Sequence, residues 1–202
     1  MGTEMRDPNA VTLASYNAKA REYITGSPQE VTGGLKKFID AAFADVSYGS
    51  TVLEVEAGFG RDALYLQGKG FAVIPTDGAQ SFVKELQQRG LPAYELNILE
   101  DSFPKVDVIF ANAVFLHLSI EELRRVLVKS RQALNLAGKL IFTVKKGEGE
   151  EFSEEKLDRP RYFAYWNVEN ITAELVRAGF TAGSISEDIT GDTTWIQVVT
   201  SS

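Results

Sequence analysis

The residues best equipped for chemistry crowd into one short stretch, TVLEVEAGFGRDALYLQGKG (residues 51–70). Gly58, Gly60 and Ala63 spell G-x-G-x-x-A, and Glu54, Glu56 and Asp62 surround them with carboxylates. A further acid, Asp77, follows in IPTDG, at the distance where nucleotide sites place the acid that holds ribose hydroxyls. Glycines in such a turn let the backbone bend from strand into helix and approach a ligand closely. The helix beginning beyond them attracts a diphosphate only where no negative group competes. Three carboxylates around this turn repel a diphosphate and suit a ligand carrying ammonium and sulfonium charge. Asp77 accepts from any ribose and does not discriminate. Elsewhere His117 is the single histidine and there is no cysteine. Thiolate sites, disulfides and histidine-rich metal sites are thereby disfavoured, and no metal is expected.

The elements that must position these groups alternate from residue 51 onward. TVLEV is an apolar strand and residues 61–68 a helix. FAVIP (71–75) is a second strand, 79–89 a helix, PAYEL (92–96) a short strand and VDVIFA (106–111) a fourth. A helix starting at Ser119 carries Leu123, Val126, Leu127 and Leu134 at helical spacing. Its Ser-Ile-Glu-Glu start is a capping box of Ser119 and Glu122. KLIFTV (139–144) is the fifth strand. Such βαβ alternation implies a parallel sheet with helices on both faces.

Two helices precede this core. Residues 8–25 place Tyr16, Ala20, Tyr23 and Ile24 on one side. A second helix is expected directly after Ser27-Pro28, with Leu35, Phe38, Ile39, Ala42 and Phe43 apolar. After the core, KKGEGEEFSEEKLDRPR (145–161) reads as a solvated charged loop. A helix over 167–178 is capped by Asn167 and stopped by Gly179. The terminal TAGSISEDITGDTTWIQVVTSS reads as a hairpin about Gly191-Asp192. The organisation expected is a single domain over 1–202: helical cap 1–47, cofactor-binding core 51–144, charged loop 145–161, and helix plus hairpin 162–202.

Composition narrows the partners. A chain of 202 residues with 44% hydrophobic residues can bury one substantial core. A formal net charge of −7 opposes nucleic acid as the main partner. MGTEMRDPNA holds no apolar leader segment and no run is long enough for a membrane span. A cytoplasmic protein with a small-molecule partner, and neither nucleic acid nor membrane, is the expectation; its oligomeric state is left open.

The chain resembles the class I S-adenosylmethionine-dependent methyltransferases. LEVEAGFGRDALYL is similar to their first motif and IPTDG to the acid-ended second strand. NILED, FANAVFLHL and LNLAGKLIFTV stand in the usual places after strands three and four and around strand five. The likeness covers nearly the whole chain. Its GRD-ALYL form is similar to bacterial small-molecule methyltransferases, including the tellurite-resistance type. KKGEGE with RPRYFAYW is similar to a subgroup carrying a K-x-GEGE loop.

The resemblance implies a Rossmann-like α/β fold: a seven-stranded, mostly parallel sheet with one antiparallel strand, helices on both faces and an N-terminal helical cap. It implies S-adenosylmethionine as cofactor, with S-adenosylhomocysteine as product. Carried over, Glu54, Gly58 and Gly60 face the methionine part, Arg61 pairs with its carboxylate, and Asn112 and Ala111 line the same side. Asp77, followed by Gly78, holds the ribose; Asn97 and the Ile98 backbone meet the adenine. Two residues depart from the pattern. Glu56 stands where the family has glycine, and Asn97 where it has an acid.

Methyl transfer from a sulfonium is an in-line displacement, so positioning supplies most of the catalysis and a base is needed only for a protonated acceptor. His117, just past strand four, is the candidate base; alternatively it packs beside the Ser119 cap. Tyr16 and Tyr23 either close over the site or simply pack their helix, with Tyr23 a candidate catalytic group. Lys146, Glu148, Glu150, Arg161 and Tyr165 are candidate acceptor contacts, or part of a solvated face. Trp166 and Trp195 are expected in core or interface. Beside the methyltransferase reading stand two rivals. One is a degenerate fold that binds adenosyl ligands weakly or serves as a partner-binding module. The other is a nucleotide-dependent oxidoreductase, which the carboxylates disfavour.

Overall fold

The strands form one seven-stranded sheet in the order β3-β2-β1-β4-β5-β9-β8, beside a separate two-stranded ribbon, β6-β7. The computed structural model describes residues 7–181 and 183–202. The first six residues of the cap and Ala182 before the last hairpin lie outside the described residues. β1 (Thr51–Glu54), β2 (Ala72–Asp77), β3 (Tyr94–Glu95), β4 (Val106–Ala111) and β5 (Leu134–Lys145) pair in parallel. β9 (Thr193–Ser201) runs antiparallel between β5 and β8 (Ser184–Thr190), the one reversed strand anticipated from the hairpin at Gly191-Asp192.

Alternation along the central strands separates two apolar layers. Leu53, Ile109 and Phe142 face α5 (Ile120–Ala133) and α6 (Val168–Arg177), where Leu123, Leu127 and Ile171 are fully buried. Val52, Phe110 and Ile141 face the opposite way, toward Ile39 of α2 (Gly33–Ala42), Leu66 of α3 (Arg61–Gly68) and Leu86 of α4 (Gln80–Gln88). α1 (Pro8–Thr25) lies over the carboxyl ends of the strands. Asp7 caps its first N–H groups, Pro8 opens its first turn, and the helix kinks at Lys19.

Four sequence expectations need correction. The second helix begins at Gly33 rather than after Ser27-Pro28, because Ser27 is engaged elsewhere, accepting from Lys156 Nζ at 2.9 Å. The strand expected at 92–96 shortens to Tyr94–Glu95, since Gln87 ties the Ala93 carbonyl to α4 instead. Leu134 is the first residue of β5 rather than the last apolar residue of α5. The 145–161 segment is not an irregular loop: β6 (Glu150–Ser153) pairs antiparallel with β7 (Arg161–Ala164). Glu150 and Glu151 of β6 are exposed, while all four β7 residues, Arg161 among them, are buried. The Ser119–Glu122 capping box and the Asn167 cap form as expected. Among the described residues no helix is long and apolar enough to cross a membrane.

Candidate functional site

The glycine turn sits between β1 and α3, at the carboxyl edge of the sheet where strand ends face α1. Glu56, Gly58 and Gly60 all take left-handed φ values, 52°, 58° and 85°. Only glycine adopts this region without strain, so Glu56 holds a conformation that costs an L-residue about 1–2 kcal/mol. The open side of Gly58 meets no atom within 4 Å, and its N–H donates to Asp77 Oδ2 at 2.9 Å. Gly60 faces elsewhere. A side chain there would strike Leu91 and Leu86, so this glycine serves the packing of α4 against the turn and not a ligand.

The four acids at the turn differ in their surroundings. Glu54 is 3% exposed and its Oε2 has no hydrogen-bond partner. Burial, reinforced by the charge of Asp62, holds its carboxyl well above the usual range. Asp77 accepts from the Gly58 and Ala79 N–H groups, the latter at 2.7 Å. Glu56 accepts the Gly78 N–H at 3.2 Å and lies against Asp77. Burial and the Asp77 charge push Glu56 upward, so the pair retains a proton that Glu56 donates to Asp77. Asp62 sits in a tight ion pair, accepting from Arg61 Nε at 2.6 Å and from Asn112 Nδ2 at 2.7 Å.

Two adjoining spaces open on this turn. The smaller, about 80 Å³, is lined by Asn9, Leu13, Glu56, Asp77, Ile98 and Val114. Its roof is α1, pinned by Ser81 donating to Asn17 and by Ser15 donating to the Pro160 carbonyl. Asn97 does not line it. The side-chain carbonyl of Asn97 accepts from Leu99 N at 2.9 Å and Asn9 Nδ2 at 3.2 Å, so the position expected to meet adenine is spent on the chain itself. Gly78 lies at the rim, beneath Leu13 and the Glu56 carboxyl.

The larger cavity, about 590 Å³, takes its floor from Glu54, Gly58, Arg61, Asp62, Asn112 and Thr143. Thr143 donates to Asn112 Oδ1 at 2.9 Å and accepts from Ala113 N at 2.8 Å, fixing the loop after β4. Sequence reasoning missed it; its signal was an inward-facing polar residue near the carboxyl end of an otherwise apolar strand. Ala111, by contrast, is buried in the core.

His117 reaches the cavity wall within the short 3-10 turn Phe115–His117. Its Nδ1 lies 2.6 Å from the Tyr162 carbonyl, which only accepts, so the ring proton sits there. Nε2 lies 3.0 Å from the Tyr16 hydroxyl and therefore accepts. Burial lowers its pKa to about 3, keeping the ring neutral. Both nitrogens being engaged, His117 meets the cavity through Tyr16 rather than as a free base. Tyr16 also accepts from Arg161 at 3.3 Å and packs edge-on against Tyr23. Tyr23 lines both spaces.

Of the residues offered as acceptor contacts, Arg161 and Tyr165 line the cavity. Lys146, Glu148 and Glu150 do not, among its lining residues. Successive residues of an extended chain face opposite ways: Lys146 turns out to pair with Glu187 at 2.8 Å, while Lys145 turns in. Glu148 and Glu150 are exposed away from the cavity, while Glu151 and Glu155, also exposed, lie on its rim with Ser153. Trp166 is buried in the core, whereas Trp195 lines the cavity.

No family model matches this sequence, and none of the curated proteins matches it. Solved structures do match in shape. A Burkholderia thailandensis 1,6-didemethyltoxoflavin-N1-methyltransferase, with bound 1,6-didemethyltoxoflavin and S-adenosylhomocysteine, superimposes with a TM-score of 0.76 at 16% identity, covering 100% of this chain and 92% of that one. The fold is that of the class I methyltransferases. Magnesium protoporphyrin IX methyltransferase from Synechocystis PCC 6803, with bound S-adenosylmethionine, matches with a TM-score of 0.72 at 15% identity, over 99% of each chain. The N-methyltransferase NodS from Bradyrhizobium japonicum WM9, in complex with S-adenosylhomocysteine, gives 0.71 at 13% identity, over 96% of this chain and 98% of its own.

Proposed function

We propose that this chain transfers a methyl group from S-adenosylmethionine to a small-molecule acceptor held in the larger cavity. The observation that carries this reading is the unpartnered Oε2 of Glu54, buried at the floor of that cavity beside the open face of Gly58. A buried polar atom without a partner calls for a donor, and the ammonium of the cofactor's methionine end is one. Asn112 and Arg61 stand beside it. The methionine half of the donor set therefore fits. The ribose half fits only with the Glu56 carboxyl turned away from Gly78, because that carboxyl now fills the approach to Asp77.

When bound, the cofactor supplies a methyl group already activated on a sulfonium. The chain's own contribution is positioning: Thr143 and Asn112 hold the loop after β4, and the Tyr16–His117–Arg161 set fixes the wall opposite the turn. A dinucleotide is disfavoured by Asp62 in the first turn of α3, where a diphosphate needs bare N–H groups.

Glu56 also supports a second reading, a degenerate fold that binds adenosyl ligands weakly or acts as a partner-binding module. Calorimetric titration with S-adenosylmethionine, S-adenosylhomocysteine and NAD tests both. Micromolar binding of the first two, none of NAD, and loss of binding in Asp77→Ala are expected. Tight NAD binding, or adenosyl affinity unchanged in Asp77→Ala, would sink the assignment.

A further inference from the structure

Three cations face the larger cavity without a counter-ion. Lys145, Lys156 and Arg161 all line it. Among the described residues none of them has a carboxylate within ion-pair distance, although Arg61 in the same cavity is paired with Asp62. Arg161 is 6% exposed, and its Nε has no hydrogen-bond partner. Among the described residues its one side-chain hydrogen bond, from Nη1 to the Tyr16 hydroxyl at 3.3 Å, is to a neutral group. A buried guanidinium carries a large desolvation penalty unless it is paired.

Aromatic rings hold these cations rather than acids. The Phe163 ring takes Lys145 Nζ at 4.4 Å and the Arg161 guanidinium at 5.0 Å from its centroid. Lys156 Nζ lies 4.0 Å from the centroid of Tyr23 and donates to Ser27 Oγ at 2.9 Å. The acids nearest this group are Glu151 and Glu155 on the cavity rim, and Glu151 is already accepting from the Tyr165 hydroxyl at 2.6 Å. Desolvation first, and then the charge of Arg161, lowers both lysines. A negative group placed among these cations would favour their charged forms.

We propose that the cavity is a receptor for a small planar aromatic molecule bearing an oxyanion, a carboxylate or phosphate, that docks on Arg161 between Lys145 and Lys156. Arg161 offers Nε and its terminal nitrogens for a bidentate contact. Tyr23, Phe163, Tyr165 and Trp195 provide flat walls for the ring. The identification of this molecule as the methyl acceptor rests on the methyl-transfer reading above; the anion site itself stands on the unpaired cations alone.

The test is a calorimetric titration of the full chain with phenyl phosphate and benzoate, with benzyl alcohol and benzylamine as neutral and cationic counterparts. Each is run with and without S-adenosylhomocysteine. Both anions are expected to bind roughly tenfold or more tighter than benzyl alcohol, the scale of one charge-assisted hydrogen bond. Arg161→Gln and Lys145→Gln should each lose most of that preference, whereas Lys84→Gln on the outer face of α4 should keep it. Thermal melts confirm folding, and Arg161→Lys, which retains charge, should recover part of the preference if Arg161→Gln proves unstable. Anion binding in the absence of any adenosyl binding upholds the site and sinks the methyl-transfer reading instead. Equal affinity for benzoate and benzyl alcohol, tighter binding of benzylamine, or a preference untouched in Lys145→Gln would overturn the proposal.

Discussion

At the scale of single residues, Glu56 governs how the site behaves. Its backbone already has the left-handed shape that the turn demands of glycine, so the turn survives the substitution at the expense of strain. Its carboxyl then lies against Asp77 and keeps a proton there. A group whose folded pKa lies above its unfolded value of 4.5 stabilises the fold fully below that pH, and the contribution is lost as pH rises through the folded value. Stability relative to Glu56→Gln should therefore be greatest below pH 4.5 and fall toward neutral pH. Urea unfolding at several pH values measures this, and parallel curves for the two proteins would rule out the buried protonated carboxyl. The anomaly of Glu56 was legible in the sequence because the motif around it is otherwise intact. That it fills the approach to Asp77 was not, because no motif specifies where a side chain turns.

Among the elements, those with local signals were readable and those made by distant pairing were not. The Ser119–Glu122 box and Asn167 marked their helices because both caps are satisfied within four residues. β6 escaped detection because its residues are charged and exposed; what makes it a strand is its partner β7, whose buried side chains anchor the ribbon. The strand register in this region puts Lys145 and Glu151 on the cavity wall, where the sequence offered Lys146 and Glu150. The start of α2 was misplaced for a related reason, since Ser27 serves a contact with Lys156, which is remote in sequence. Gly60, offered as a cofactor contact, also packs closely against Leu86 of α4 and Leu91. Gly60→Ala places a Cβ 2.5 Å from Leu91 Cδ1 at a φ of 85°. The expected loss is about 1–3 kcal/mol, read as a lowered melting temperature, and an unchanged melt would show that α4 does not rest on this glycine.

At the scale of the whole molecule, the alternation of strands and helices was enough to anticipate the sheet, because parallel pairing with right-handed crossovers leaves few arrangements. That α1 belongs to a cap was legible, but the bonds that seat it were not, since they are long-range: Tyr162 N–H donates to Thr12, and Ser15 to the Pro160 carbonyl. These bonds place α1 across the strand ends and leave about 80 Å³ near Asp77, far below the roughly 300–1,000 Å³ typical of ligand pockets. The methionine side, at about 590 Å³, is open. On the proposed methyl-transfer reading, half of the cofactor site stands ready and half is held shut by the Glu56 side chain under a helical roof. The most direct test is calorimetric titration of S-adenosylhomocysteine into the wild-type chain and Glu56→Gly. We expect measurable binding to the wild type and binding roughly tenfold tighter to the variant, equivalent to about 1.4 kcal/mol. Absence of binding to both proteins, or weaker binding to Glu56→Gly, would contradict it.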